Sequence, residues 1–199
     1  MKTKLVLASA SPRRKALLEM LGVFDLTVSP VAAEAAYPAG LPEAEAVAYI
    51  ADRKAADCAG GFPADTLVLA ADTVVSLDGR ILGKPSGEAE AFQMLRALSG
   101  RRHRVYTGMA LRQGGRSMTD CAAADVWFRP LTDGEIRAYI ATGEPLDKAG
   151  AYGAQDLAAL FVERIEGEFY TVVGLPLCQL GKLLGAFGVP LLDTHAQVL

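Results

Sequence analysis

Basic residues stand where the first predicted strand gives way to the first predicted helix. Residues 5–8 form a short apolar run typical of a buried strand, and Ser11 followed by proline predicts the start of a helix over 12–21. Arg13 and Arg14 fall in its first turn. Helix N-terminal N–H groups, the helix dipole and planar arginine donors favour a bound anion such as a triphosphate. The alternative is a capped helix followed by solvated charges.

A single carboxylate interrupts the most apolar predicted strand. This strand covers residues 67–75, and Asp72 is its one acid. Because a buried carboxylate is costly unless it is paired, hydrogen-bonded or bound to a metal, we expect Asp72 at a strand end facing a cleft. There it could hold a divalent cation or activate a water molecule. A capping or turn aspartate is the alternative interpretation.

Two lysines and a polar loop carry weaker signals. Lys54 lies on a helix predicted near 43–58, and Lys84 follows a predicted hairpin. Each alone is typical of a surface lysine. The segment 144–155 is a polar, glycine-bearing loop that ends in Gln155, whose amide has the paired donor and acceptor needed to read the edge of a base. Taken alone, this loop is typical of a structural turn.

Composition narrows the class of protein. The chain has 199 residues, 51% hydrophobic, with a formal net charge of −3, which is too acidic for an extended nucleic-acid-binding face. Three scattered cysteines and two histidines indicate neither a disulfide framework nor a zinc site. The first apolar run is too short for a signal peptide, and no segment approaches the roughly twenty apolar residues of a membrane helix. We expect one cytoplasmic domain over residues 1–199, with no membrane partner.

Strands and helices alternate early in the chain, and hairpins are predicted later. This order indicates an α/β fold with a mixed sheet rather than a purely parallel one. The remaining predicted elements are a strand over 24–28, a helix over 87–98 capped by Ser86, two strands flanking Gly114-Gly115, a capping box at 132–135 that opens a helix to 141, a hairpin of 158–165 and 169–173, and a helix from Pro176 to Phe187.

In their order and spacing, these segments resemble the Maf family of nucleoside triphosphate pyrophosphatases over residues 4–188. The matching stretches are 7–14, 71–75, 83–85, 98–105, 144–153 and 173–176. The resemblance implies an extended mixed β-sheet flanked by helices, in two lobes around a central cleft, like the fold of the inosine triphosphate pyrophosphatases. It also implies hydrolysis of a nucleoside triphosphate between its α and β phosphates, dependence on a divalent cation (Mg²⁺ or Mn²⁺), and a homodimer.

The resemblance also assigns roles to individual residues. Asp72 matches the proton acceptor, and our own hypothesis is that Asp72 and Glu34 hold the metal. The residues that match the substrate-binding positions are Ser9, Arg13, Arg14, Lys54, Thr73, Lys84 and Gln155. Among them, Arg14, Thr73 and Gln155 match the specificity positions of the branch that acts on dTTP and UTP.

Two positions depart from the family pattern. Ala33 stands where a second acid usually precedes Glu34, and Asp156 replaces the glycine that usually follows the specificity glutamine. Two alternatives therefore stay open. One is a pyrophosphatase for 7-methyl-GTP or another non-standard purine triphosphate, and the other is a nucleotide-binding regulator without catalysis.

Overall fold

The computed structural model describes residues 2–31, 37, 40–189 and 191–192, which form a mixed α/β fold with a seven-stranded sheet flanked by helices. The strands are β1 (Thr3–Leu7), β2 (Phe24–Val28), β3 (Leu67–Leu77), β4 (Arg80–Leu82), β5 (Arg102–Gln113), β6 (Arg116–Phe128) and β7 (Val162–Glu166). The helices are α1 (Pro12–Leu21), α2 (Glu43–Ala59), α3 (Glu88–Leu98), α4 (Asp133–Ile140), α5 (Phe169–Val173) and α6 (Leu177–Ala186). No helix in these ranges is long and apolar enough to cross a membrane.

The sheet is mixed, as the order of elements predicts. Its strands follow the order β2-β1-β3-β5-β6-β7, and β4 pairs with β3 outside this path. Strand β1 runs parallel to both β2 and β3, whereas the β3–β4 and β6–β7 pairs are antiparallel. The β3–β4 turn falls at Asp78 and Gly79, both with positive φ, and this confirms the predicted hairpin.

Helix α1 begins and ends where its capping residues predict. The Ser11 side chain accepts a hydrogen bond from the N–H of Arg14, and proline occupies the first helical position. At the other end, Gly22 adopts a φ of 71° and donates its N–H to the carbonyl of Glu19. The predicted capping box of α4 is also present, with Thr132 and Glu135 as partners.

The cap of one predicted helix and one predicted hairpin are wrong. Helix α3 begins at Glu88 with Gly87 as its N-cap, while Ser86 donates from its N–H and its hydroxyl to the carboxylate of Glu90 at 2.8 and 2.6 Å. The hairpin predicted over 158–173 is absent, because Phe169–Val173 forms α5 and β7 pairs with β6 instead. A short apolar run such as 169–173 fits a strand and a helix equally well. The partner of β7 is β6, which lies further away in the chain than the predicted partner.

The chain divides into two compact units, of which the first contains the residues up to Asp72, Thr107–Ala122 and the residues from Gly174 onward. Small side chains form one core of this unit, among them Ala51, Ala55 and Ala70. Helix α2 lies directly on β5, since a Cβ added at Gly108 would come within 2.4 Å of the Val47 carbonyl carbon. The backbones therefore meet at a position that accepts no side chain.

The second unit contains Thr73–Tyr106 and Ala123–Val173. Its core is built around Phe128, whose ring lies edge-on to the rings of His103, Tyr152 and Phe161. Residues from α3 and α4 complete this core, including Leu95, Leu98 and Ile136.

Candidate active site

Asp72 lies within β3 and is only 7% exposed, so the predicted position at a strand end is wrong. Among the described residues, two donors reach its carboxylate. The ammonium of Lys54 donates to Oδ1 at 2.6 Å, and the hydroxyl of Tyr37 donates to Oδ2 at 2.6 Å. These partners offset the cost of burying the charge of Asp72. Strand β3 can therefore continue on both sides of this residue. Because each carboxylate oxygen has about two acceptor sites, acceptor capacity remains for a cation or a water proton.

Tyr37 is a member of this site that sequence reasoning missed. It lies in the alanine- and proline-rich stretch between β2 and α2, and 37% of the residue is exposed. A half-exposed tyrosine in a loop produces no periodic pattern, and its partner Asp72 is distant in the chain. The sequence therefore offered no signal that could have identified it.

Helix α2 presents Lys54 to Asp72 and is anchored to the β5–β6 hairpin. The carboxylate of Asp52 accepts hydrogen bonds from Arg112 at 3.0 Å and from the hydroxyl of Ser117 at 2.7 Å. Burial raises the pKa of Asp52, but the bonds from Ser117 and Arg112 outweigh it and hold the pKa below its ordinary value. Together with the close approach at Gly108, this anchor fixes α2 and therefore Lys54.

Arg14 has its guanidinium engaged by the protein. Its Nε donates to the carbonyl of Gly174 at 2.8 Å, and one terminal nitrogen donates to Ser9 Oγ at 3.0 Å and to the carbonyl of Ala71 at 2.8 Å. Burial lowers the pKa of Arg14, and the nearby charge of Asp72 opposes this. The side chain thus connects α1 to the residue that precedes Asp72 in β3.

The N-terminus of α1 is less open to an anion than its sequence suggests. Pro12 has no N–H, and the N–H groups of Arg14 and Lys15 both bond to Ser11. Within the described part of the chain, the guanidinium of Arg13 has no ion pair, and the first helical turn contains no acid. A bound anion would therefore meet Arg13 more readily than a row of amides.

The predicted residues of the second unit lie on two segments that contact each other. The N–H of Gly150 donates to the carbonyl of Gly83 at 3.0 Å, which joins the loop carrying Gln155 to the segment carrying Lys84. Both of these side chains are exposed. Gly150 has a φ of +66°, and an added Cβ would lie 2.8 Å from Val75 Cγ2. Both the backbone conformation and the packing against Val75 therefore require glycine at position 150.

The two remaining positions of the second unit differ in what surrounds them. Thr73 follows Asp72 in β3 and is half-buried. Asp156, the departure from the family pattern beside Gln155, has a φ of −105°, a conformation open to any residue. Replacing glycine at this position therefore introduces no backbone strain.

His103 and Tyr152 form a buried polar pair in the second unit. The histidine Nε2 lies 2.7 Å from the tyrosine hydroxyl, and His103 is 2% exposed. Burial lowers the pKa of His103 to about 4, although the charge of Asp125 acts in the opposite direction. Its Nδ1 has no hydrogen-bond partner among the described residues. Folding therefore favours the neutral imidazole.

This pKa predicts a loss of stability in acid. Between the ordinary pKa of 6.5 and about 4, the unfolded chain binds a proton at His103 that the folded protein does not. The free energy of unfolding should therefore fall by about 3 kcal/mol as the pH drops through this window. Above this window, His103 should not change the pH dependence of the free energy of unfolding. A His103→Gln variant, which does not titrate here, should lose less stability between pH 7 and pH 4.5 in urea unfolding. Parallel losses in the two proteins would contradict the assignment.

The residues at Asp72 can be compared with what a divalent cation requires. No group of three or more His, Cys, Asp and Glu residues that could hold a metal occurs in the described ranges, and Glu34 lies outside them. However, Mg²⁺ is commonly held by one or two carboxylates together with substrate phosphates and water. The carboxylate of Asp72 fits a cation that is held in large part by the phosphates of a nucleotide.

Comparison with known proteins places the chain among relatives of similar length. The model of the family described as Maf-like protein matches residues 4–187. A dTTP/UTP pyrophosphatase of Moorella thermoacetica is 52% identical over 190 residues, covering 94% of this chain and 96% of the relative. A dTTP/UTP pyrophosphatase of Bacillus cereus is 47% identical over 194 residues, which cover 97% of this chain and 93% of the relative. The solved structure of a HAM1 protein from Coxiella burnetii is 18% identical in sequence and superposes with a TM-score of 0.50. The match covers 92% of this chain and 99% of the HAM1 chain, which shows a shared fold.

Proposed function

The chain belongs to the Maf-like protein family, and we propose that it hydrolyses dTTP and UTP to the nucleoside monophosphate and pyrophosphate. The observation that carries this proposal is the buried carboxylate of Asp72, which is held by Lys54 and Tyr37 and lies near the guanidinium of Arg14. The names of relatives that are about half identical in sequence support the choice of substrate.

Asp72 acts as the proton acceptor in this proposal. Water attacks the α-phosphorus, the bond from that phosphorus to the bridging oxygen breaks, and pyrophosphate leaves with the electron pair of that bond. The proton of the attacking water passes to a free acceptor site on Asp72. A divalent cation, Mg²⁺ or Mn²⁺, supplies charge neutralisation at the phosphate oxygens when bound, with Asp72 and Glu34 as its proposed protein ligands.

Basic side chains stabilise the charge that develops on the leaving pyrophosphate. We assign this role to Arg13, Lys54 and Lys84, with the hydroxyl of Ser9 as a further donor. The oxygen of Ser9 already accepts bonds from Ser11 N–H and from Arg14, which leaves its own hydrogen to donate. Arg14 contributes chiefly by holding Ser9 and the main chain beside Asp72 in place.

Gln155 reads the pyrimidine, with Thr73 and Arg14 as the other specificity positions. A glutamine amide can donate to O4 of thymine or uracil and accept from N3–H at the same time. The reversed amide would instead match cytosine, which presents a donor at the 4 position and an acceptor at N3. Selection of dTTP and UTP over CTP therefore requires a fixed orientation of this side chain.

A substrate panel tests the proposed function. The purified protein with Mg²⁺ should turn over dTTP and UTP with kcat/KM values at least about tenfold above those for CTP, 7-methyl-GTP and ITP, the discrimination expected of one hydrogen-bond pattern. A preference for a purine triphosphate would instead indicate the alternative enzyme. Stoichiometric nucleotide binding without turnover, with either Mg²⁺ or Mn²⁺, would indicate a regulator.

The setting of the enzyme is part of the proposal. We infer a single Maf-like domain that acts on a nucleoside triphosphate in the cytoplasm and assembles as a homodimer. The family model, which matches residues 4–187, supports the single domain.

A further inference from the structure

A chain of hydrogen bonds anchors the loop that carries Gln155. The hydroxyl of Tyr139, in α4, donates to Oε1 of Glu144 at 2.7 Å and accepts the N–H of Gly153 at 3.3 Å. The other carboxylate oxygen of Glu144 accepts the N–H of Leu157 at 3.3 Å. Gln155 lies midway between the two anchored amides, two residues from each. We call Tyr139 and Glu144 the loop clamp.

The loop clamp rests on a buried and rigid base. Tyr139 is only 4% exposed, and its ring packs edge-on against Phe161 with ring centroids 5.2 Å apart. The phenol of Tyr139 is protonated at neutral pH, as any tyrosine is, and burial, followed by the hydrogen bond to Glu144, raises its pKa further. A helix and a core aromatic thus hold the acceptors that fix the exposed segment around Gln155.

Further contacts within the loop oppose its rearrangement. The ammonium of Lys148, itself 7% exposed, donates to the carbonyl of Glu144 at 2.6 Å and to Asp147 at 2.8 Å. Ala151 adopts a φ of +61°, which is rare for a residue with a side chain and persists only where the surroundings impose it. The loop therefore has one enforced conformation rather than several of similar energy.

We propose that Tyr139 and Glu144 are positioning residues for substrate selection, because they fix the backbone on both sides of Gln155 and so the orientation of its amide. This inference rests on the proposed function, in which Gln155 reads the pyrimidine. In this proposal both residues act through Gln155 rather than on the substrate. The bonds of the clamp reach Gly153 and Leu157, whereas the loop is joined to the segment of Lys84 at Gly150. We therefore expect loss of the clamp to affect recognition of the base more than binding of the phosphates, which separates it from a general effect on folding.

Tyr139→Phe is the first test, since it removes one hydroxyl and keeps the ring. Gly153 loses its acceptor and Glu144 loses its donor, so the loop can shift. We expect KM for dTTP to rise about tenfold with kcat within about twofold, and the preference for dTTP over CTP to shrink by a similar factor. Tyr49→Phe is the matched control, because Tyr49 is 43% exposed on α2, and it should behave like the wild type.

A double-mutant cycle separates positioning from a merely structural role. If Tyr139 acts through Gln155, Tyr139→Phe should have little further effect on KM in a Gln155→Ala protein. Inhibition by inorganic tripolyphosphate, which lacks a base, should be unchanged in Tyr139→Phe. Additive effects on KM, weakened tripolyphosphate inhibition, or an unaltered preference for dTTP over CTP would each overturn the proposal. Glu144→Gln provides a second variant if Tyr139→Phe does not fold.

Amide hydrogen exchange distinguishes failure of the clamp from failure of the proposed function. In Tyr139→Phe and Glu144→Gln, the amides of Gly153 and Leu157 should exchange at least about tenfold faster than in the wild type, while those of β3 should not change. Unchanged exchange would overturn the clamp even if dTTP is the substrate. Faster exchange in a protein that hydrolyses neither dTTP nor UTP would overturn the proposed function, and with it the role in selection, but not the clamp itself.

Discussion

Asp72→Asn should reduce the turnover of dTTP at least about a hundredfold, the low end of what a general base contributes. The substitution preserves the shape of the side chain and removes its charge and its ability to take up a proton. An asparagine at this position can still bond to Lys54 and Tyr37, so the folded structure should persist. Steady-state kinetics with dTTP, together with a thermal melt of the same sample, measure both effects.

Asp57→Asn is the control for this experiment. Asp57 lies on the exposed side of α2, and the same change of charge there should leave turnover within about twofold of wild type, as expected for a surface position. If Asp72→Asn retained full turnover, Asp72 would not be the proton acceptor. A loss of turnover in both variants would indicate a general electrostatic effect instead.

Gly108→Ala should cause a large loss of stability in the first unit. The new Cβ would meet the main chain of Val47 at 2.4 Å, and no side-chain rotation can relieve a clash with backbone. We expect a loss of about 3 kcal/mol in the free energy of unfolding, the upper end for overpacked cores. Since α2 must move away from β5, Lys54 should also draw back from Asp72 and turnover should fall.

Urea unfolding and dTTP kinetics together test this second prediction. Gly115→Ala is the matched control, because an added Cβ there meets no atom within 4 Å and its φ lies outside the left-handed range. It should unfold and turn over substrate like the wild type. If Gly108→Ala were as stable and as active as Gly115→Ala, the close packing of α2 on β5 would not determine the position of Lys54.

Local signals predicted much of the fold. Ser11, Pro12 and Gly22 set both ends of α1 because capping depends on neighbouring residues alone. The same holds for the capping box of α4. The prediction over 158–173 failed because the partner of β7 is β6, more than thirty residues earlier in the chain, and a short apolar run does not specify a distant partner.

The candidate acid of the site could be predicted from the sequence, but the residues that hold it could not. Asp72 was conspicuous as an acid within an apolar strand, and burial requires such a charge to have partners. Which partners it has depends on tertiary structure. Tyr37, in a loop, and Gly108, in β5, have no pattern that connects them to Asp72 or to α2. Glu144 lies in a recognisable motif, yet its bond to Tyr139 becomes visible only once α4 and the loop are packed.

The central claim is cleavage between the α and β phosphates of a pyrimidine triphosphate, and ³¹P NMR of a dTTP reaction tests it most directly. With wild-type protein and Mg²⁺, the resonances of dTTP should be replaced by those of dTMP and pyrophosphate in equal amounts, and Asp72→Asn should slow this conversion at least about a hundredfold. Formation of dTDP and inorganic phosphate, or persistence of dTTP in the wild-type reaction, would contradict the account.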